Sequence, residues 1–268
     1  MPATPTWPPR SAPRLFVAEQ LSKGANIRLE GPPAHYLAKV MRVAPGDAVV
    51  LCDDLTGEWA ARVAEVGKRE VALTVEKRLR PREEVPDFWL CPALLKKDRF
   101  DLLLEKATEL GVRAIRPVVT RRCVADKLNR ERARAIVVEA AEQCARTALP
   151  QLAAPARLDA LLRDWPADRA LFFADELGGA PAAQAFAAHS GPAALLTGPE
   201  GGFDDAEREA IRALPQALPI SLGPRILRGE TAALAGVALW MATAGDWGNP
   251  DDPPLEGEVS TRSGDGGV

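Results

Sequence analysis

From Arg14 to Arg82 the apolar positions come in short runs broken by turn residues: "RLFVAEQ", "ANIRLEG", "DAVVLCDD", "WAARVAEVG" and "EVALTVEKRL". Such runs between turn signals predict the strands of a small all-β unit. Within it "PAHYLAKVMRV" reads as one inserted helix and Pro45-Gly46-Asp47 as a turn. The segment "RPREEVPD" has the composition of a linker, and beyond it the rhythm changes. Apolar runs "FWLCPAL", "IRPVVT", "RALFFAD", "AALLTG" and "PISLG" alternate with helix-like stretches: "KDRFDLLLEKATELG", "RERARAIVVEAAEQCART", "DAEREAIRAL" and "TAALAGVALWMATAG". Alternation of that kind predicts an α/β unit, a mostly parallel sheet with helices on its faces.

A chain of 268 residues exceeds the usual single domain, which agrees with this division. The expected organisation is a flexible N-terminus over 1–13, a β unit over 14–82, an α/β unit over 83–248 and a flexible acidic tail over 249–268. Both ends are rich in Pro, Gly, Asp and Ser. The N-terminal "MPATPTWPPRSAPRLF" has prolines where a signal peptide needs a continuous apolar segment. "TAALAGVALWMATAG" is the longest uncharged apolar stretch, too short to span a membrane, and is expected to be a buried helix. Cys52, Cys91, Cys123 and Cys144 form no CxxC pair, and two histidines cannot complete a metal set, so neither structural zinc nor a disulfide framework is expected. A reducing, cytoplasmic setting follows.

Net charge is −3, but the tail holds five acids (Asp251, Asp252, Glu256, Glu258, Asp265) against Arg262. Between Val112 and Arg134, Arg113, Arg116, Arg121, Arg122, Lys127, Arg130, Arg132 and Arg134 face only Asp126 and Glu131. A cluster of this sign suits a phosphate-bearing partner or, equally, a solvated helix face.

Ligands of open α/β sheets bind at the carboxyl ends of strands. Two loops hold that position, "GPEGGF" and "GPRILRGE", each following a short strand and opening a helix. Glycine admits a ligand to the main chain, and helix starts leave N–H groups free, so a seat made mostly of backbone is expected. Neither loop matches the phosphate motifs GxxxxGK[ST] or GxGxxG. Asp204 with Glu207 has capping-box spacing and is assigned no chemistry. Glu200 sits inside its turn, ahead of that cap, either bracing the loop or acting on a ligand. Arg225 and Arg228 near Glu230 exceed what one surface pair needs, and their forks suit a phosphate or a planar base edge. On "EAAEQCART", Glu142, Gln143 and Arg146 share a helix face for which solvent exposure is expected.

Together "LLTGPEGGF", "ISLGPRILRGETA", "KATELGV", "EQCAR" and "HYLAKVMRVAPGD" resemble the RsmE-like family of 16S ribosomal RNA uridine-N3 methyltransferases, of the SPOUT superfamily, across about residues 14–247. The resemblance implies a PUA-like β-barrel RNA-binding domain, then a SPOUT α/β domain whose last strands and helix form a trefoil knot. It implies S-adenosylmethionine as cofactor, a homodimer, no metal, no membrane, and 16S ribosomal RNA of the small subunit as partner. The cofactor would fall to Leu196, Thr197, Gly198, Pro199, Gly201, Gly202, Leu222, Gly223, Ile226, Leu227, Thr231 and Ala232. The RNA would fall to Arg14, Arg42, Arg121, Arg122, Arg130, Arg134 and Arg146. The sequence departs from related ones at Ala145, commonly glycine, and at "HYL", more commonly "HHL".

Uridine N3 is a poor nucleophile until its imide proton leaves, so a base, or a cation for the developing anion, is expected. Arg228 or Arg225 is expected to supply the cation, with Glu200 or Glu230 orienting the arginine or accepting the proton. The competing expectations are a 2′-O-ribose methyltransferase of transfer RNA on the same fold, and a non-catalytic RNA-binding or assembly protein.

Overall fold

Residues 7–248 are described by the computed structural model; the expectations for residues 1–6 and for the tail 249–268 lie outside the described residues. Strands β1 (Arg14–Phe16), β2 (Asn26–Glu30), β3 (Ala48–Cys52), β4 (Glu58–Val66) and β5 (Glu70–Arg80) form one sheet in the order β1-β3-β4-β5-β2. Helix α1 (Gly31–His35) runs straight into a π-helical turn, Tyr36–Val40, the inserted helix of the sequence pattern. Alternation sets the inward face: Ile27 and Leu29 on β2 and Val71, Leu73 and Val75 on β5 are buried, two residues apart, with Leu37 of the π-helical turn packed on them. Part of the expected flexible N-terminus is held on this sheet. The Trp7 ring lies 4.6 Å from the Arg62 guanidinium, and the Pro13 carbonyl accepts from the Val50 N–H at 2.8 Å.

The second unit contains β6 (Phe88–Pro92), α2 (Lys97–Glu109), β7 (Ala114–Ile115), β8 (Val118–Val119), α3 (Arg130–Gln143), β9 (Gln151–Leu152), β10 (Ala156–Arg157) and α4 (Leu158–Arg163). It continues with β11 (Ala170–Ala174), β12 (Ala180–Pro181), α5 (Ala182–Ala187), β13 (Ala193–Thr197), α6 (Asp205–Arg212), β14 (Ala217–Ser221) and α7 (Gly229–Thr243). Its main sheet is parallel, in the order β12-β14-β11-β13-β6-β7-β9. Every residue of β13 is buried, as both-face coverage by helices requires. One face carries Phe88 stacked on Trp240 at 4.5 Å with Phe172 and Phe186 around them; the other carries Leu171, Phe173, Leu196 and Phe203. The short elements α4, α5, β9, β10 and β12 have no counterpart in the sequence pattern, because two to six residues are too few to show a period.

Helix α3 stops at Gln143, short of the expected Thr147, because Ala145 turns left-handed at φ 60°. The chain after it fastens the two units together. The Phe16 N–H donates to Glu142 at 2.8 Å, the Arg80 guanidinium reaches the Ala145 carbonyl, and Glu83 accepts from the N–H groups of Thr147 and Ala148 at 2.7 and 2.9 Å. The expected exposure of this segment is therefore corrected for Arg146, which is buried and donates to the carbonyls of Thr108 and Val112 at 2.8 and 2.7 Å. It ties α2 to β7 and presents nothing to RNA.

Candidate active site at the carboxyl ends of three strands

Because β11 pairs with β13 on one side and β14 on the other, the carboxyl ends of all three strands meet. Their loops enclose a cleft of about 290 Å³. The second and third loops contribute Gly198, Pro199, Gly202, Leu222, Gly223, Ile226 and Leu227, and α7 adds Ala232. The remaining cofactor candidates stand elsewhere. Leu196 and Thr197 are buried within β13, while Gly201 and Thr231 face solvent.

The sequence pattern missed the first loop. Ala174, Asp175, Glu176 and Gly178 line the cleft with Arg208 of α6. The signal was present, a buried apolar strand "LFFA" ending in a polar turn and a glycine pair, the same grammar as the other two loops. Asp175 organises this corner: its carboxylate accepts from Arg208 at 3.1 Å, Arg212 at 2.6 Å and the Leu177 N–H at 3.1 Å. Burial alone would raise its carboxyl; the bonds from Arg212, the Leu177 N–H and Arg208 together outweigh burial and hold it below the usual carboxylate range.

Two glycines let the loops close on each other. Gly202 has φ 67°, and a Cβ there would stand 3.0 Å from the Glu176 carboxylate. At Gly229, where α7 starts, a Cβ would come within 2.8 Å of Leu95 and 3.1 Å of the Gly198 carbonyl. Within the third loop the N–H groups of Leu222, Ile226 and Leu227 donate to no acceptor among the described residues, so they remain available to a ligand. Asp204 and Glu207 form the expected capping box at the start of α6.

Of the residues assigned chemistry, Arg225 lines the cleft and Arg228 is the exposed N-cap residue of α7. Neither glutamate orients them. Glu200 is exposed and accepts from the Lys96 N–H at 3.4 Å, a loop brace. Glu230 is buried and paired with Arg99 because α7 packs against α2; its Oε2 has no partner among the described residues. The pairing expected within the third loop is thus replaced by one between helices.

The basic residues divide by partner. Arg121 reaches Asp204 at 2.9 Å, and Arg122 donates to the carbonyls of Gly201 and Phe203 at 2.9 and 3.3 Å; both stay exposed while bracing the second loop. Arg130 and Arg134 are exposed on α3 without an ion pair among the described residues. Arg14 is committed to Glu58 at 2.8 Å on the β sheet. Among the described residues no group of His, Cys, Asp or Glu is placed to hold a metal, and no helix is long and apolar enough to cross a membrane.

Residues 82–241 match the family described as an RNA methyltransferase domain, and residues 29–76 match one described as an RNA methyltransferase PUA domain. The ribosomal RNA small subunit methyltransferase E of Synechocystis sp. is 34% identical over 84% of this chain and 76% of its own length. That of Rickettsia conorii is 28% identical over 84% of this chain and 93% of its own. The chain belongs to the ribosomal RNA small subunit methyltransferase E family. The crystal structure of the Neisseria gonorrhoeae methyltransferase E bound to S-adenosyl methionine superposes with a TM-score of 0.79, at 29% identity, covering 88% of this chain and 99% of that one. A methyltransferase E fold, a PUA-like unit followed by a SPOUT unit, is therefore what carries the three-loop cleft.

Proposed function

We propose that this protein transfers a methyl group from S-adenosylmethionine to N3 of a uridine in 16S ribosomal RNA of the small subunit. The cleft at the ends of β11, β13 and β14 supports the reading: its wall is largely glycine-rich backbone, with spare N–H groups at Leu222, Ile226 and Leu227. Those groups suit the hydrogen-bonding edge and ribose of a nucleoside, and Ile220, Leu222 and Ala232 supply apolar surface for its ring. When bound, S-adenosylmethionine supplies an electrophilic methyl group; the protein's residues supply alignment. Arg225, at the cleft, and Arg228, at the exposed start of α7, are placed to meet the charge that develops on the uracil oxygens, or a neighbouring phosphate. N3 lies on the Watson–Crick edge, so the target is unpaired or flipped when it enters. Arg121, Arg122, Arg130 and Arg134 hold the surrounding RNA in this reading, along with Arg42.

The same reading carries the trefoil-knotted course of the last strands and helix, a homodimer, a cytoplasmic setting, and a division into units at 14–82 and 83–248. Its test is direct. Purified protein is incubated with methyl-labelled S-adenosylmethionine and small subunits lacking the modification, and the product nucleoside is identified. N3-methyluridine in the small-subunit RNA is expected; a 2′-O-methyl nucleoside, or no label in the RNA, overturns the reading.

A further inference from the structure

The charged side chains that line the three-loop cleft are Asp175, Glu176, Arg208 and Arg225. Asp175 and Arg208 are committed to the fold. The Asp175 carboxylate is fully buried between Arg208 and Arg212, and the buried Arg208 guanidinium donates to Asp175 at 3.1 Å, Asp205 at 3.3 Å and Glu176 at 2.9 Å. Glu176 is in a different position. Its side chain is 50% exposed, its Oε1 accepts from Arg208, and its Oε2 has no partner among the described residues. The second loop leaves that oxygen room. Gly202 turns left-handed at φ 67°, and a Cβ there would stand 3.3 Å from Oε2 and 3.0 Å from Oε1. The cleft therefore contains a carboxylate that is anchored through one oxygen and open to a ligand through the other.

An acceptor held in this way selects among the groups of a nucleoside sulfonium. The spare N–H groups of Leu222, Ile226 and Leu227 are donors, which suit the ring nitrogens of adenine but cannot take a hydroxyl hydrogen. Glu176 supplies an acceptor from another loop of the same cleft. The strongest donors of S-adenosylmethionine are its ribose diol and its α-ammonium group. Arg208 decides between them. Its guanidinium already lies 2.9 Å from Oε1 of this carboxylate, so an ammonium would stand beside a like charge, whereas neutral hydroxyls donate without that repulsion. Carboxylates receive ribose hydroxyls in the same manner in dinucleotide sites.

We propose that Glu176 is the residue that binds the cofactor's ribose, with Oε2 accepting from a 2′- or 3′-hydroxyl. The assignment rests on the reading that this cleft takes S-adenosylmethionine. It gives the first loop a task the other two cannot perform, selection of a nucleoside that carries a diol. Arg208 acts as a positioning residue that holds the carboxylate, and Gly202 keeps the space beside it clear.

The test is calorimetric binding of S-adenosylmethionine, 5′-methylthioadenosine and 2′,3′-dideoxy-5′-methylthioadenosine to wild type and Glu176→Ala. The second ligand lacks the aminoacyl group, and the third lacks the diol as well. Losing a hydrogen bond to a charged acceptor should weaken the variant's binding of the first two ligands by the same factor, about tenfold. Both proteins should bind the dideoxy ligand equally. A loss for S-adenosylmethionine with none for 5′-methylthioadenosine would put the carboxylate on the ammonium and overturn the assignment. An equal loss for the dideoxy ligand would make Glu176 a loop brace or a partner of the adenine amino group, and would overturn it too, as would unchanged binding of all three. Wild type that binds none of the ligands would remove the reading of the cleft itself; wild type that binds them with Glu176→Ala unaffected would remove only the role of Glu176.

Discussion

The Arg228 side chain stands at the start of α7 with no hydrogen-bonding or ionic partner among the described residues, although acids lie close to it in sequence. A cation left unpaired between two cleft-lining residues, Leu227 and Gly229, is free to meet charge that appears only during reaction, so Arg228→Ala should lower kcat by about 10²–10³. S-adenosylmethionine affinity should stay within a few-fold of wild type by calorimetry; turnover that also stayed within a few-fold would remove Arg228 from the chemistry. Ala145 makes the opposite kind of case. At φ 60° its Cβ crowds the backbone in a conformation that glycine adopts without cost. Ala145→Gly should therefore stabilise the protein by about 1 kcal/mol, read as a higher urea midpoint with unchanged slope.

At the scale of elements, α6 and its flanking loops hold one wall of the cleft in place. The Asp204 side chain accepts from the Glu207 N–H at 2.7 Å and also takes the Arg121 guanidinium, so Asp204→Ala should cost about 1 kcal/mol and leave the second loop looser. Thermal unfolding with and without S-adenosylmethionine would show both effects. Asp175 links β11 to α6 through Arg208 and Arg212, with its own side chain fully buried. Its folded carboxyl titrates below the unfolded value of about 3.9, so this stabilisation is complete above that pH and is lost as pH falls through the folded value. Asp175→Asn should cost about 3 kcal/mol at neutral pH and flatten the acid limb of a stability curve measured between pH 7 and pH 2. An acid limb identical to wild type would place the acid sensitivity on other carboxylates.

Across the whole molecule, the segment from Glu142 to Leu149 is the fastening between the β sheet and the parallel sheet. It contacts Phe16, Arg80, Glu83 and Asp54 by hydrogen bonds, and Arg146 anchors it from below through two backbone carbonyls. Burial pushes the Arg146 guanidinium below its ordinary pKa, with Glu83 opposing that shift. Arg146→Ala should therefore act on stability, by about 3 kcal/mol, and leave the salt dependence of RNA binding unchanged. The same change at Arg130 with Arg134 should do the reverse, flattening the salt slope at constant stability. Crossing the two measurements separates the arginines that hold the fold from those offered to RNA.

By itself the sequence determined what is local or repeated along the chain. Alternation marked the strands of the β unit, strand-helix succession marked the parallel sheet, Asp204 with Glu207 marked the start of α6, and glycine-rich strand ends marked two walls of the cleft. Each depends on residues within one or two turns of each other, where spacing and geometry are nearly the same thing. The tertiary structure decided the pairings across distance. It set β11 between β13 and β14 and so added Asp175, Glu176 and Arg208 to the site; it gave Glu230 to Arg99 rather than to the loop arginines; and it buried Arg146. A charged side chain takes the partner that the packing of whole elements brings to it, and linear spacing carries no record of that packing.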